Sequence, residues 1–285
     1  MQVGRPEAAQ QSWRSTVTGR VDVTHVFLHG ERRALRTYLP PGYEHGDADH
    51  PLLVMFDGQN LFDRATTSYG MEWGLDETVE ALVGAGELPG LVIAGLDSPR
   101  DAMARYAEYT GWDWTLGDQP VRGVGASVAD FVVAEVLPYL RRTYRITRDR
   151  ARVGLAGSSM GGAMTLLTGL RHPQAFGRLL AFSPVLLDVP MRGHVLRAQL
   201  RATGFAPDTW VYLDMGGAEQ LGYVEHPERL VAQLHALEAA CAQSVAPPQR
   251  LVVRAIPGAG HDELAWGARA GEVLRWAFGG GPAPA

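Results

Sequence analysis

Two serines stand side by side in "RVGLAGSSMGG", residues 152–162. Only one frame puts a glycine two residues before and two residues after a serine: Gly157-Ser158-Ser159-Met160-Gly161. That frame makes Ser159 the candidate nucleophile and Ser158 a spacer. The demand behind it is steric. A serine that projects from a tight strand-to-helix turn brings strand and helix so close that side chains at the flanking positions would collide. The apolar run "ARVGLAG" before it reads as a strand and "MGGAMTLLTGLRH" after it as a helix. Such a helix aims its unpaired N–H groups and its positive end at the serine. A glycine-rich turn with a capping serine has the same five letters, and it is the flanking elements that favour a nucleophile.

A serine hydroxyl needs a base, and the base needs an acid that holds it in one tautomer. On a turn of this kind the acid and then the histidine follow the serine in the chain. Five histidines follow Ser159. His172 ends the helix that the serine begins, about 20 Å away at 1.5 Å per residue. His194 lies in a polar stretch, His226 at a helix start and His235 within a helix. His261 comes after the apolar run "RLVVRAI" and the flexible "PGAG", on a loop at a strand's carboxyl end, where open α/β sheets carry their chemistry. It is the expected base. For the acid, "LDMGGAEQ" offers Asp214 and Glu219. Asp214 lies inside the apolar run. Glu219, beyond two glycines, can reach back to an imidazole and is preferred. Asp262 and Glu263 adjoin the histidine, but favourable charge in a helix's first turn accounts for them.

A tetrahedral intermediate needs donors for its oxyanion. The Met160 N–H is one by position. The second is expected in "DGQNLF", after the early buried run "PLLVMF". The Gln59 N–H is the choice, with Asn60 and Leu61 as neighbours. Trp73, Trp112, Trp114 and Tyr69 lie on segments expected to border the site, as do Arg100 and Arg105, and of these Trp73, Trp112, Trp114 and Arg105 are assigned to substrate binding. Core packing competes as an explanation for the aromatics, and solvation for the arginines.

The elements that position these residues follow from hydrophobic pattern. "VTHVFL" and "RALRTYL" read as two early strands close enough to pair antiparallel at one edge. "PLLVMF" is a continuous apolar run of strand length, as expected for a strand buried on both faces, and "LVIAGL" reads as the next buried strand. "ARVGLAG", "GRLLAFS", "TWVYLDM" and "RLVVRAI" read as further strands. Helical patterns fall around residues 73–83, 128–144, 160–172, 226–242 and 261–278. This alternation predicts one predominantly parallel sheet with helices covering it. Residues 97–126 read as a long irregular segment, residues 1–16 as loose, and 279–285 as a disordered tail. No linker divides residues 17–278, so a single domain is expected.

The 285 residues are 46% apolar and 20% charged, an ordinary globular composition. The net charge of −5 argues against nucleic acid and anionic membranes as partners. No apolar stretch is long enough to span a bilayer, and the N-terminal residues lack the apolar region of a secretory signal, which makes the cytoplasm the expected location. The single Cys241 excludes an internal disulfide and a multi-cysteine metal site.

"TYLPPGY", "FDGQNLFD", "VLPYLRRTYRI", "LAGSSMGG", "GLRHPQAFGRLLAFSP" and "PGAGHDELAW" together resemble an esterase family of α/β-hydrolases. It includes enterobactin-type siderophore esterases, feruloyl and acetylxylan esterases, and mycolyltransferases. The resemblance implies an α/β-hydrolase fold with an eight-stranded sheet and helices on both faces, no metal and no cofactor. It puts the nucleophile on Ser159, the base on His261, the acid on Glu219 and the oxyanion amides on Gln59 and Met160. The family's arginine, Glu-Tyr and proline segment is matched by Arg100, Arg105, Glu108 and Tyr109, with threonine and glycine in place of the proline. The expected activity is that of a serine carboxylesterase acting on a small-molecule ester, such as an acylated sugar, an aryl ester or a siderophore lactone. An acyltransferase and a non-catalytic binding protein of the same fold are the alternatives.

Overall fold

A computed structural model describes residues 14–185, 193–219 and 227–284. The expected loose segment therefore lies outside the described residues except for 14–16, as does Ala285 of the tail.

Strands β1 (Arg20–Leu28) and β2 (Glu31–Leu39) form a hairpin. Its two-residue turn, His29-Gly30, has φ of 50° and 80°. Two positive φ angles in succession match the right-handed twist of the flanking strands. Strands β3 (Leu52–Phe56), β4 (Val92–Leu96), β7 (Val153–Ser158), β8 (Arg178–Phe182), β9 (Trp210–Gly216) and β10 (Leu251–Ile256) complete an eight-stranded sheet in the order β1-β2-β4-β3-β7-β8-β9-β10. Only β2 runs against the others, pairing antiparallel with both β1 and β4.

The alternation of side chains along each strand separates two cores. Leu52, Val54 and Phe56 of β3 enter one, and Leu53 and Met55 the other. The first is covered by α3 (Gly125–Phe131), α4 (Leu137–Thr143), α5 (Met160–Arg171), α6 (Gly193–Thr203) and α7 (Pro227–Cys241). The second is covered by α1 (Leu75–Gly84) and α8 (Glu263–Gly279). The helical pattern expected over residues 128–144 is interrupted by a π turn, Val132–Val136, between α3 and α4. Pro138 explains the break: it has no N–H to donate, and its ring would strike the carbonyl four residues back in a regular helix.

The segment expected to be irregular, 97–126, holds a short helix, α2 (Ala102–Glu108), and a hairpin of β5 (Trp114–Leu116) and β6 (Gln119–Val121). Neither is long enough to show a hydrophobic period. Helix α6 also escaped the sequence reading, although it has a buried stripe of Leu196, Arg197 and Leu200. At the other end, α8 runs through Gly279 and closes on Gly280 at φ 73°, a glycine cap. Among the described residues no helix is long and apolar enough to cross a membrane.

Ahead of β1 the chain is tied to carboxylates. Asp63 accepts from the Ser15 hydroxyl, and Asp76 accepts from the Thr18 N–H at 2.7 Å. Asp76 is fully buried and its second oxygen has no partner. Burial, reinforced by neighbouring Glu77, pushes its carboxyl up to about 7. In the unfolded chain that group ionises near 4. Between those values the native state therefore binds the extra proton, and unfolding releases it. The expected outcome is a stability that falls as pH rises from about 4 to about 7 and then levels. Urea unfolding of Asp76→Asn across that range should show the fall reduced, with the variant the more stable of the two at pH 8.

Candidate functional site

The carboxyl ends of β3, β7, β8, β9 and β10 lie along one rim of the sheet, and each delivers one part of the site. Ser159 occupies the turn between β7 and α5 with φ 57° and ψ −123°. L-residues avoid this region, at a cost of order 1–3 kcal/mol. The turn is held from both sides: the Ser159 N–H donates to the Phe182 carbonyl at 3.0 Å, and the Ser159 carbonyl accepts from the Val185 N–H at 3.0 Å. The flanking glycines allow it. A Cβ on Gly157 would lie 2.6 Å from the carbonyl carbon of Gly161, and one on Gly161 3.2 Å from Phe56 Cβ.

His261, between β10 and α8, places Nε2 at 2.9 Å from Ser159 Oγ and Nδ1 at 2.8 Å from Glu219 Oε2. Glu219, three residues past the end of β9, is buried. Its other oxygen accepts from the Gly216 N–H at 2.6 Å and lies 2.5 Å from Ser183 Oγ. The imidazole meets the edge of Trp266 with ring centroids 5.0 Å apart. Asp214, the other candidate acid, turns away. It pairs with Arg269 of α8, accepts from the Tyr212 hydroxyl at 2.7 Å and from the Ser183 N–H at 2.8 Å. The remaining histidines stand apart: His172 meets Asp130 beyond the far end of α5, His235 meets Glu238 on α7, His194 is exposed on α6, and His226 lies outside the described residues. Asp262 caps α8 by accepting from the Ala265 N–H at 2.8 Å, and Glu263 accepts from Asn60 Nδ2 at 2.8 Å. Burial raises the Glu263 carboxyl above its usual range.

Gln59 sits in a single 3-10 turn, Gly58–Asn60, directly after β3. Its side chain locks to Ser98 in both directions, donating to the hydroxyl at 2.9 Å and accepting from the backbone N–H at 3.0 Å. The turn is entered through Asp57 at φ 57°. Asp57 is held by Arg105 through two parallel bonds of 2.9 and 2.7 Å, and its N–H donates to the Tyr109 hydroxyl at 3.1 Å. Met160 opens α5, where the first N–H groups have no partner within the helix.

A cleft of about 600 Å³ opens onto Ser159 and His261. Tyr69, Met71, Tyr106 and Trp266 give it apolar wall, and Ser68, Ser98, Asn60 and Arg100 give it polar groups. Of the four residues expected to bind substrate, Arg105 lines the cleft and the three tryptophans do not. Trp73 is not in the lining. It is buried between Phe182 and Trp266, at centroid distances of 5.0 and 5.7 Å. Trp114 is buried against Tyr106, and Trp112 packs half-buried on the core. Arg105 does line the cleft, but its guanidinium is committed to Asp57. Burial would lower its pKa, and the Asp57 charge outweighs that and holds it above the usual range. Sequence reading missed Ser183, Trp266 and Arg269. The available signal was the three-residue spacing of Trp266 and Arg269, which puts both on one face of the helix that follows His261.

Arg105→Met leaves Asp57 without its cation at the entry to the Gln59 turn. The expected loss of stability is below the about 3–5 kcal/mol of a broken, fully buried pair, because the arginine side chain is 26% exposed. Urea midpoints of Arg105→Met and Arg105→Lys, compared with the parent, measure it.

Residues 28–271 match the family model described as "Putative esterase". Uncharacterized protein YbbA of Bacillus subtilis is 27% identical over 153 residues, 53% of this chain and 55% of that protein. The chain spans between 37% and 55% of the length of the curated relatives it matches. Among solved structures, the enterobactin esterase FES of Shigella flexneri superposes with a TM-score of 0.70 at 19% identity, over 92% of this chain and 60% of that one. Siderophore hydrolase EstB of Aspergillus nidulans superposes with a TM-score of 0.68 at 17% identity, over 99% of both. At these identities the structures share the fold, an α/β-hydrolase sheet that is mostly parallel with helices on both faces. With the family model matched over most of its length, the chain belongs to the "Putative esterase" family.

Proposed function

We propose that the protein is a serine carboxylesterase whose triad is Ser159, His261 and Glu219. The observation that carries this reading is the continuous chain of contacts from Ser159 Oγ through both nitrogens of His261 to a buried Glu219 carboxylate. In the proposed reaction Ser159 attacks the ester carbonyl as His261 takes its proton. Glu219 holds the imidazole with Nδ1–H toward itself and stabilises the imidazolium. The developing oxyanion is received by the backbone N–H groups of Gln59 and Met160, where each donor is worth about 3 kcal/mol of barrier. His261 then returns its proton to the leaving alcohol and activates the water that hydrolyses the acyl-enzyme.

The cleft favours a flat acyl or alcohol group. Tyr69 and Tyr106 offer aromatic faces, and about 600 Å³ suits one small molecule. Two of the solved relatives are named for enterobactin and for a siderophore, which makes siderophore esters candidate substrates beside aromatic ones.

p-Nitrophenyl acetate and an ester of an aromatic acid, such as methyl ferulate, test the reading. The parent protein should release p-nitrophenol with a burst equal to the enzyme concentration. Ser159→Ala should lose the burst and about 10⁶ of turnover, the scale of triad knockouts, with an unchanged circular dichroism spectrum. An intact Ser159→Ala burst would sink the assignment. Partition of the acyl group to added alcohols in preference to water would make the enzyme an acyltransferase instead.

A further inference from the structure

Ser183 follows β8, is completely buried, and has φ 42°. No step of the proposed reaction uses it, yet four buried groups converge on it. Its N–H donates to Asp214 Oδ1 at 2.8 Å. Its hydroxyl oxygen lies 2.5 Å from Glu219 Oε1, 2.9 Å from Trp266 Nε1 and 3.1 Å from Arg269 Nη2.

The direction of these bonds follows from counting protons. An indole N–H and a guanidinium only donate. A hydroxyl has two lone pairs and one proton. Trp266 and Arg269 take the lone pairs, so the proton points to Glu219. Oε1 of Glu219 then receives two donors, the Ser183 O–H and the Gly216 N–H. The oxygen left over, Oε2, faces His261 Nδ1 as an acceptor. That nitrogen must carry the hydrogen, which leaves Nε2 with its lone pair toward Ser159 Oγ.

We propose that Ser183 is a positioning residue for the triad: with its hydroxyl oriented by Trp266 and Arg269, it holds Glu219 as a hydrogen-bond acceptor and thereby sets the Nδ1–H tautomer of His261. The proposal rests on the triad reading above. Asp214 serves it indirectly, by neutralising Arg269 and anchoring the Ser183 backbone.

The test is ¹⁵N and ¹H NMR of the full chain with labelled histidine, without substrate, at a pH where the imidazole is neutral, with His261 assigned by comparison with His261→Gln. The expected spectrum is the Nδ1–H tautomer with a strongly downfield, exchange-protected proton. Ser183→Ala should shift that proton upfield and speed its exchange. It should also lower kcat about tenfold to a hundredfold, the scale of one hydrogen bond to a charged group, with KM unchanged. Ser183→Cys, with a weaker donor of similar size, should fall between. An Nε2–H tautomer in the parent protein overturns the proposal even if neither variant folds. An unaltered proton and kcat in Ser183→Ala overturn it as well. A parent protein inactive on every ester, but with a downfield proton that responds to Ser183, would refute the esterase reading and uphold this one.

Discussion

The site depends on a backbone that would not hold its shape alone. Ser159 keeps a positive φ because β7 and α5 meet at glycines and because Phe182 at the end of β8 and Val185 just beyond it bond to its N–H and its carbonyl. Asp57 and Ser183, at the ends of β3 and β8, have the same unfavourable sign of φ. Among the described residues only His29, in the β1–β2 turn, shares it without being glycine. Three of these four positions are therefore at one rim of one sheet. Such conformations persist only where the surrounding packing over-determines them. Here the eight strands and two cores provide that packing.

The two buried carboxylates near the rim show how neighbours divide roles. Asp214 and Glu219 leave the same strand and both are inaccessible to water. Asp214 is saturated by Arg269, the Tyr212 hydroxyl and the Ser183 N–H. Glu219 keeps one oxygen for His261. Neither distance from the serine in sequence nor side-chain type separates them. What separates them is which has an oxygen left to give. Arg105 makes the same point on the other side of the cleft. Its bidentate bond to Asp57 commits a residue expected to bind substrate to bracing the turn that holds Gln59. A guanidinium already matched to one carboxylate fork has little left for a second.

Much of this architecture was readable before any coordinates. Apolar runs marked β3, β4 and β7 to β9, because a parallel strand covered on both faces has no polar side to alternate with. Strand β10, at the sheet edge, is only half-buried and carries Arg254. The Gly157-to-Gly161 frame located Ser159, and the position of His261 after the last apolar run placed it at a strand end. Less was readable where structure is short or contacts are distant. Helix α2 and the β5–β6 hairpin are only a few residues each. The tryptophans at 73, 112 and 114 have the chemistry of a binding wall, but their packing puts them outside the cleft lining.

The sequence by itself determined which elements form and which side chains can stand at the ends of strands, since hydrophobic period and glycine spacing are local properties of the chain. Only the tertiary structure decided which polar groups share protons. The Ser183 hydroxyl and, more than eighty residues later on one helix, the Trp266 indole and Arg269 guanidinium meet behind Glu219. Hydrogen-bond direction there depends on how many donors crowd one buried oxygen, and that number exists only once the chain has folded.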